Sequence, residues 1–388
     1  MPAPITTPMT MDSESISPSL RGSSAGGETD AGIVSAGTIH RVQQNASKSE
    51  CQNAPGANFP SDSRRLQLEC FSQMTKSAMV DVVGVGLNAT DMLIPLPEYP
   101  SAGSKIEFRK ASFLPGGQVA SAMMACQTWG LRTRYVGKLG EDDAARLHRS
   151  EFARAGVDAQ VIAVPGCPSQ QAVILVDRHG ERTVLWRRDP QLSLDPDELD
   201  HEWIVNARAL HVDGYDTAAA MLAATWARAA GIPVIADLDD VYAGVEGLLE
   251  NIDYAIVSRN VPARLVDEDD LEKALPLMQR RFDCVLTAAT LGEDGVLAWD
   301  GKQFHYAPAF QVDAVDTTGA GDTFHAGFIY GLLQGWKLPR ILDFACAAAA
   351  LNCMGVGARG GIKPVKEIEK LMAAGLRYSP LLNVANLG

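Results

Sequence analysis

Regular alternation between strands and helices in the second half of the sequence restricts the fold more than any other feature. Short runs rich in β-branched and small apolar residues are followed by longer segments with helical periodicity. The predicted strands are Ala209–Asp213, Pro233–Asp237, Tyr254–Ser258 and Cys284–Ala288, and the predicted helices are Ala218–Ala230 and Leu271–Arg281. Strands that alternate with helices form a parallel sheet covered on both faces, so we predict an α/β fold.

The first half of the chain adds strands of a different kind. Ala78–Gly86 is a β-branched run ending in glycine and predicts a buried strand. Lys105–Lys110 alternates as a half-exposed strand does, and Ala172–Asp177 with Thr183–Trp186 predicts a hairpin around His179-Gly180. These segments indicate a smaller β layer attached to the main sheet. The other predicted elements here are the helices Ala120–Trp129 and Asp142–Ala155 and the strand Thr133–Gly137.

Residues 1–77 differ in composition from the rest of the chain. They are rich in Ser, Thr, Gly, Ala and Asn and have almost no apolar periodicity. Such a segment cannot bury enough surface to offset its ordering entropy. We predict a disordered extension, with a short ordered stretch near Leu66–Phe71, followed by one catalytic domain over residues 78–388.

Charge and cysteine content exclude several classes of protein. The net charge of −13 lacks the basic footprint that nucleic-acid binding requires. The seven cysteines are scattered and form no CxxC pair, so we expect buried free thiols rather than a zinc site or a disulfide framework. No apolar run reaches membrane-spanning length, and no signal peptide is evident. The sequence therefore predicts a cytoplasmic protein without nucleic-acid or membrane partners.

The most informative motif is Asp316-Thr-Thr-Gly-Ala-Gly-Asp-Thr-Phe-His-Ala-Gly-Phe328. It follows the extended segment Phe310–Val315 and opens an apolar helix that ends near Gln334. The turn Gly319-Ala320-Gly321 leaves backbone N–H groups free and lets a ligand come close. Donors at a helix N-terminus bind a phosphoryl group whose charge grows in the transition state.

Asp322 lies in the first turn of this helix, where the helix dipole favours an ionised carboxylate. A carboxylate there is placed to accept the proton of an attacking hydroxyl, which phosphoryl transfer requires. The alternative is an ordinary aspartate at a helix start after a glycine turn. The flanking threonines and the position late in an α/β chain favour the catalytic interpretation.

This motif resembles the second signature of the ribokinase family, the phosphofructokinase-B (PfkB) superfamily of carbohydrate kinases. The matching positions are Asp316, Gly319, Ala320, Gly321, Asp322, Ala326 and Gly327. The resemblance implies a ribokinase-like fold with a small β-sheet lid, from about residues 92–118 and 168–190, over the mostly parallel sheet. It also implies ATP and Mg²⁺, a base at Asp322, and an anion hole at Gly319–Asp322. Finally, it implies a monovalent-cation site, with K⁺ as the expected ion, touching Asp316 and Thr318.

The same resemblance extends to the nucleotide side. The segment Thr290-Leu-Gly-Glu-Asp-Gly295 is similar to the family's nucleotide loop. The resemblance implies that ATP is bound by Thr290, Gly292, Gly295 and Gly321. The alternative is a simple turn before the strand Val296–Trp299, which would have a similar sequence. Gly355–Gly361 matches the region that closes over the adenine.

Asn260-Val-Pro-Ala263 departs from the family's Asn-x-x-Glu. Asn260 remains a predicted cofactor-binding residue, but Ala263 stands where a glutamate helps to order Mg²⁺. Either another acid substitutes, with Asp237 and Asp239 as candidates, or Mg²⁺ is held mainly by the ATP phosphates. Turn-capping roles for these two aspartates are at least as good an interpretation.

At the acceptor end, the resemblance implies that Asp91 grips substrate hydroxyls and that Gly116-Gly117 lets the substrate approach the backbone. Gln118 supplies an amide nearby, while Ser121 replaces the family's customary asparagine. Asn88 lies one place away from another family asparagine, so we do not assign it that role.

The sequence excludes two other enzyme classes. Gly84–Ala89 has the GxGxxA pattern of a dinucleotide-binding turn, but Pro95, Pro97 and Pro100 prevent the helix that must follow it. No GxxxxGK[ST] occurs, which excludes a P-loop kinase. A nucleoside kinase of the same fold and a catalytically silent ligand sensor remain open.

We therefore predict an ATP-dependent kinase that phosphorylates a hydroxyl, expected to be primary, of a small sugar. The lid is built from Lys105–Phe113 and Ala172–Trp186, and in some relatives the lids of two subunits clasp into a homodimer. Arg187 and Arg188 follow the hairpin and either meet an anionic substrate or form a solvated edge pair, which we favour.

Overall fold

The structure, a computed structural model, describes residues 80–178 and 182–379. The predicted disorder of residues 1–77, the ordered stretch near Leu66–Phe71 and the turn at His179-Gly180 lie outside the described residues. The strands are β1 (Val82–Val85), β2 (Ala89–Pro95), β3 (Ser112–Gly116), β4 (Thr133–Leu139), β5 (Asp158–Ala163), β6 (Gln171–Val176), β7 (Arg182–Arg187), β8 (Ala209–Asp213), β9 (Val234–Leu238), β10 (Tyr254–Ser258), β11 (Leu286–Thr290), β12 (Val296–Trp299) and β13 (Phe304–Ala307). The α-helices are α1 (Gln118–Thr128), α2 (Asp143–Ala155), α3 (His201–Val205), α4 (Thr217–Ala229), α5 (Val245–Leu249), α6 (Val261–Val266), α7 (Leu271–Phe282), α8 (Ala320–Leu333), α9 (Leu338–Cys353) and α10 (Val365–Ala374).

Nine strands form the main sheet, in the order β13-β12-β11-β10-β9-β8-β1-β4-β5. The seven strands from β11 to β5 are parallel, and β12 and β13 add an antiparallel edge. The predicted α/β architecture with a mostly parallel sheet is therefore confirmed. Because parallel strands end at one edge, the residues that follow β1, β9, β10 and β11 lie along the same rim.

Alternate residues of the buried strands supply the two cores. Val82 points into a core with Met123 of α1, Phe328 of α8 and Phe344 of α9. Val83, the next residue, points into the core on the other face, where α4, α5 and α7 pack. Burying one large apolar side chain contributes about 1.5–3 kcal/mol. Alternation along each strand thus requires helices on both faces, as the sequence pattern predicted.

Four further strands form a second sheet in the order β3-β2-β6-β7, which we call the lid sheet. Its strand β2 follows β1 directly, where a dinucleotide-binding fold would need a helix, and this agrees with the exclusion of a dehydrogenase. The strand β2 was not predicted from the sequence. The strand predicted at Lys105–Lys110 was wrong, since these residues have no regular structure. The strand that pairs with β2 is Ser112–Gly116.

The described residues bear on two other expectations from the sequence. Five cysteines in this part of the chain are free thiols, and four of them are buried. Across residues 80–178 and 182–379, no helix combines the length and the apolar character needed to cross a bilayer.

Candidate active site

The loop Gly319–Asp322, which we call the anion loop, forms the start of α8. Gly319 caps the helix with φ of 74°, and a Cβ there would lie 2.2 Å from the Ala358 carbonyl oxygen. Only glycine fits that backbone and that space. Among the described residues, the N–H groups of Gly321 and Asp322 donate no hydrogen bond to the backbone. The first turn of a helix has no internal acceptors for them, so the loop presents free donors at the positive end of α8.

The Asp322 carboxyl lies beside these donors in a crowded, charged setting. Burial and the nearby Asp237 carboxylate raise its pKa to about 7, while His325, Arg359 and a hydrogen bond from Ser121 act in the opposite direction. A carboxyl with a pKa near neutrality is well matched to general-base catalysis, because it both ionises and accepts protons at the operating pH.

A buried network lies beneath Asp322. The Arg359 Nε donates to Ser121 Oγ at 3.2 Å, and Arg359 Nη2 donates to the Gly116 carbonyl at 2.9 Å. Ser121, 1% exposed, in turn hydrogen-bonds the Asp322 carboxyl. The serine that replaces the family's asparagine therefore links the predicted base to a buried guanidinium.

Asp237, at the end of β9, forms the other wall beside Asp322. Its Oδ2 lies 3.3 Å from His325 Nδ1, which also contacts the Gly321 carbonyl at 2.8 Å. Burial raises the pKa of Asp237 well above its usual value, and hydrogen bonding with Gln118 opposes this. The Gln118 Oε1 is buried without a partner among the described residues, so it is available to accept a hydrogen bond from a ligand or from water.

Asp91 comes from β2 of the lid sheet and is 5% exposed, so it is not a surface turn residue. Burial and the Asp322 carboxylate raise its pKa to about 7, whereas Arg359 and Arg182 lower it. A Cβ on Gly116 would lie 2.3 Å from Asp91 Oδ2, and one on Gly117 would meet the backbone of residue 88. Gly116 thus makes room for the Asp91 carboxyl, and Gly117 makes room for the backbone at Asn88.

An apolar cavity of about 300 Å³ opens on the other side of the anion loop. Its lining includes Thr290, Gly292, Gly295, Ala320 and Gly321, together with Phe310, Phe324 and one face of α9. An apolar cavity that ends on free N–H donors suits a nucleotide, with the base in the cavity and the phosphates at the loop.

Asp316 and Thr318 lie just before the anion loop and are both buried. Asp316 accepts hydrogen bonds from the N–H groups of Thr318 at 2.9 Å and Gly357 at 2.7 Å. The Asn352 amide donates to the carbonyls of Thr318 at 3.2 Å and Ala358 at 3.1 Å. These bonds fasten the anion loop to the end of α9 and the segment that follows it.

Two predictions for the nucleotide side concern residues outside the lining of the apolar cavity, and they stay predictions. None of the residues in Gly355–Gly361 lines the apolar cavity; the segment packs against Gly319 and Gly116 instead, because Asn352 and Asp316 hold it there. Asn260 is exposed at the start of α6 and is likewise outside the lining.

The predicted solvated pair Arg187 and Arg188 is not a pair. Arg187 is exposed and donates to Gln171 Oε1 at 3.0 Å, whereas Arg188 is half-buried in an ion pair with Asp216 at 2.7 Å. Neither contacts the anion loop. Asn88 bonds the Tyr135 hydroxyl and the Lys138 carbonyl, which is a structural role.

Three residues of the site escaped the sequence analysis: Arg182, Arg359 and Asn352. Arg359 and Asn352 stand within or beside a glycine-rich segment whose pattern was visible. Arg182 begins β7, and its Nη1 donates to Thr318 Oγ1 at 3.2 Å. Only the pairing of distant segments identifies these contacts.

Comparison with known proteins identifies the family. Residues 79–364 match the model of the pfkB family carbohydrate kinases. An ATP-dependent ribose-1-phosphate kinase of Halopiger xanaduensis is 31% identical over 294 residues, which cover 72% of this chain and 94% of that protein. Fructoselysine 6-kinase of Escherichia coli is 30% identical over 257 residues, covering 62% of this chain and 90% of that protein.

A solved structure shares the fold of this chain. The Arabidopsis thaliana ribokinase complexed with ribose and ATP superposes with a TM-score of 0.63 at 24% identity, covering 76% of this chain and 99% of that chain. The fold, the glycine-rich anion loop and these relatives agree, and the chain belongs to the pfkB family of carbohydrate kinases, enzymes that transfer a phosphoryl group to a sugar.

Proposed function

We propose that the protein transfers the γ-phosphoryl group of ATP to a primary hydroxyl of a small sugar, with Asp322 as the base. One observation supports the proposal: Asp322 lies between the apolar cavity and the Asp91 carboxyl. The anion loop that begins with Gly319 borders the apolar cavity on one side, and the Asp91 carboxyl interacts with Asp322 from the other. An acceptor held by Asp91 therefore meets the base and the phosphoryl group together.

The relatives support this activity. The Halopiger xanaduensis relative acts on ribose 1-phosphate with ATP, and the Arabidopsis thaliana ribokinase was solved with ribose and ATP. Their acceptors differ, so the relatives support the reaction class more than any one sugar.

In the proposed mechanism, Asp91 and the unpartnered Gln118 Oε1 accept hydrogen bonds from acceptor hydroxyls. The acceptor oxygen attacks the γ-phosphorus, a new O–P bond forms, and the bond to the β–γ bridging oxygen breaks. The acceptor proton passes to the Asp322 carboxylate. The free N–H groups of Gly321 and Asp322 stabilise the charge on the transferred group, and the leaving electron pair remains on ADP.

Magnesium fits this site as an ion carried by the nucleotide. Among the described residues, no group of three or more His, Cys, Asp or Glu side chains is arranged to hold a metal ion. Ala263 supplies no ligand, so Mg²⁺ would be held mainly by the ATP phosphates. When bound, it neutralises phosphate charge during transfer.

The surroundings of Asp316 fit a monovalent cation. Its carboxylate is buried and accepts hydrogen bonds from the N–H groups of Thr318 and Gly357, and no Lys or Arg in the part of the chain that the structure describes forms an ion pair with it. We propose that Asp316 and Thr318 hold K⁺, whose charge would balance that carboxylate next to the anion loop.

The lid sheet also suggests a homodimer. Phe113, Met92, Val173 and Leu185 are cross-strand neighbours in one row across all four strands, on the face we call the outer face. Phe113 and Leu185 are 61% and 58% exposed. An apolar row that runs across a whole sheet favours burial against a second copy of the chain.

The decisive experiment measures ADP release by the full-length protein against a panel of sugars and nucleosides. Asp322→Asn should reduce kcat about 10²–10⁴-fold, as expected for loss of a general base. Asp240→Asn is the matched control, because Asp240 is an exposed aspartate paired with Arg264. A wild type that binds sugars but never turns over would show a ligand sensor, and turnover of nucleosides alone would show a nucleoside kinase.

A further inference from the structure

The pairing register of the lid sheet separates its arginines between two faces. Asp91 is the cross-strand neighbour of Ala172, which in turn is the neighbour of Trp186. Val176, four residues further along β6, is the neighbour of Arg182. Side chains alternate along a strand, and neighbours in register share a face. Arg182 and Asp91 therefore lie on one face of the lid sheet, which we call the cleft face.

Arg187 lies on the opposite face. Its register partner is Gln171, one residue before Ala172, and its Nη2 bonds the side chain of that same glutamine. Arg188, the residue after β7, is committed to Asp216 and to the Leu192 carbonyl. Of these three arginines, only Arg182 points towards the cleft.

The Arg182 guanidinium reaches the centre of the site. It donates to Thr318 Oγ1 at 3.2 Å, one residue before the anion loop, and its charge lowers the pKa of Asp91. It therefore lies between the acceptor carboxylate and the phosphoryl-binding loop, although the residue itself is exposed.

Most hydrogen-bond donors of the Arg182 guanidinium have no partner among the described residues. Among the described residues it forms no ion pair, and its recorded hydrogen bond goes to a neutral hydroxyl. A guanidinium carries five N–H donors arranged to bind two oxygens of one anion. Arg359 is different, because Ser121 and Gly116 already hold its head group beneath the base.

We propose that the acceptor carries an anionic group, a phosphate ester or a carboxylate, and that Arg182 binds it and selects for it. This inference rests on the proposed kinase function and names the chemical class of its acceptor. The hydroxyl end of such an acceptor lies at Asp91 and Asp322, and its anionic end lies under β7. Neutral sugars would leave the guanidinium without an anion and bind less well.

The test compares ribose, ribose 1-phosphate and gluconate as acceptors for the full-length protein. The wild type should show at least about ten-fold higher kcat/KM for one of the two anions than for ribose, and whichever anion is preferred distinguishes a phosphate ester from a carboxylate. Arg182→Gln should lower kcat/KM for that anion about 10- to 100-fold and change the value for ribose less than about three-fold. Arg182→Lys should recover part of the loss, since it restores charge without the planar pair of donors. Arg187→Gln, on the other face of the same strand, should behave as the wild type.

Three results would overturn the inference. Equal losses for ribose and for the anions would show a general role for Arg182. A raised KM for ATP with every acceptor would show that Arg182 binds the nucleotide phosphate instead. A preference of the wild type for ribose would exclude an anionic acceptor.

Thermal shift with ribose 1-phosphate and with gluconate measures binding separately from turnover. An anion that stabilises the wild type but not Arg182→Gln supports the inference even if no acceptor is phosphorylated, in which case the proposed function alone fails. No stabilisation and no turnover with either anion would refute the inference itself.

Discussion

Replacing Ser121 with alanine removes a single hydroxyl from the network beneath Asp322. The side chain is buried in α1, hydrogen-bonds the Asp322 carboxyl and accepts from Arg359 Nε. Alanine fits the same helix and the same space, so the main effect should be on the base. The variant loses a bond that favours the ionised carboxylate, and the pKa of Asp322 should rise.

The size of the effect follows from the strength of the lost bond. A hydrogen bond to an ionised group contributes about 1.5–3 kcal/mol, and one pKa unit corresponds to about 1.4 kcal/mol, so the pKa should rise by about one to two units. Starting from about 7, the ionised fraction at pH 7 falls from about one half to between about one in eleven and about one in a hundred. We expect kcat/KM at pH 7 to fall about five- to fifty-fold.

The assay is the pH dependence of kcat/KM. The base works only when ionised, so activity is lost as pH falls through its pKa, and a raised pKa moves this acid limb to higher pH. Wild type and variant should therefore converge as the pH rises. Arg359 Nε also loses its acceptor, which should lower the free energy of unfolding by about 1–3 kcal/mol.

Ser169→Ala is the matched control. Ser169 is equally buried and donates to a carboxylate, Asp142, at 2.6 Å, outside the site. It should lose stability without moving the acid limb. An unmoved limb in Ser121→Ala, with only stability or KM changed, would refute the idea that Ser121 tunes the base.

Three further predictions concern the anion loop, the cation and the outer face. Gly319→Ala places a methyl group against the Ala358 carbonyl in a left-handed backbone, so Tm and kcat should both fall. In Gly321→Ala the new methyl group meets no atom within 4 Å, so this variant should keep its Tm while its KM for ATP rises. Equal losses of Tm in the two variants would contradict this prediction. If Asp316 holds a cation, turnover should be higher in KCl than in choline chloride at equal ionic strength, and identical rates would exclude that role. Leu185→Lys should convert a dimer to a monomer in light scattering while kcat per chain persists, and a wild type that is already monomeric would refute the lid interface.

The main sheet was predictable because its signals are local. The bounds of Tyr254–Ser258 and Val296–Trp299 agree with the structure, and Leu271–Phe282 extends one residue beyond its predicted end. In these segments a buried strand or an amphipathic helix is fixed by the apolar pattern within a few residues. Gly319–Asp322 was predictable for a similar reason, because a glycine turn and a helix start are both local.

The lid sheet was less predictable because its strands depend on distant partners. Ala89–Pro95 pairs with Gln171–Val176, about eighty residues away, and proline-rich sequence after it obscured the strand. Lys105–Lys110 has an alternating pattern, but β2 pairs with Ser112–Gly116, so the pattern alone was insufficient.

The contacts beneath and beside Asp322 could not be predicted from the sequence either, because their partners are far apart along the chain. Arg359 and Ser121 are 238 residues apart, and Arg182 and Thr318 are 136 apart. No local periodicity records such a contact. The sequence shows that Ser121 replaces the family's asparagine. That Ser121 contacts the Arg359 guanidinium is known only from the fold.

Helix α9 ends where two parts of the site meet. One face of it, with Cys346, Ala349 and Ala350, walls the apolar cavity, while Asn352 in its last turn grips the carbonyls of Thr318 and Ala358. The wall of the proposed nucleotide cavity and the Asn352 side chain that holds the anion loop thus belong to one helix. A bulky substitution on the cavity-facing side of α9 would shift the helix and, with it, the Asn352 side chain. A substitution chosen to change nucleotide affinity would therefore also change kcat.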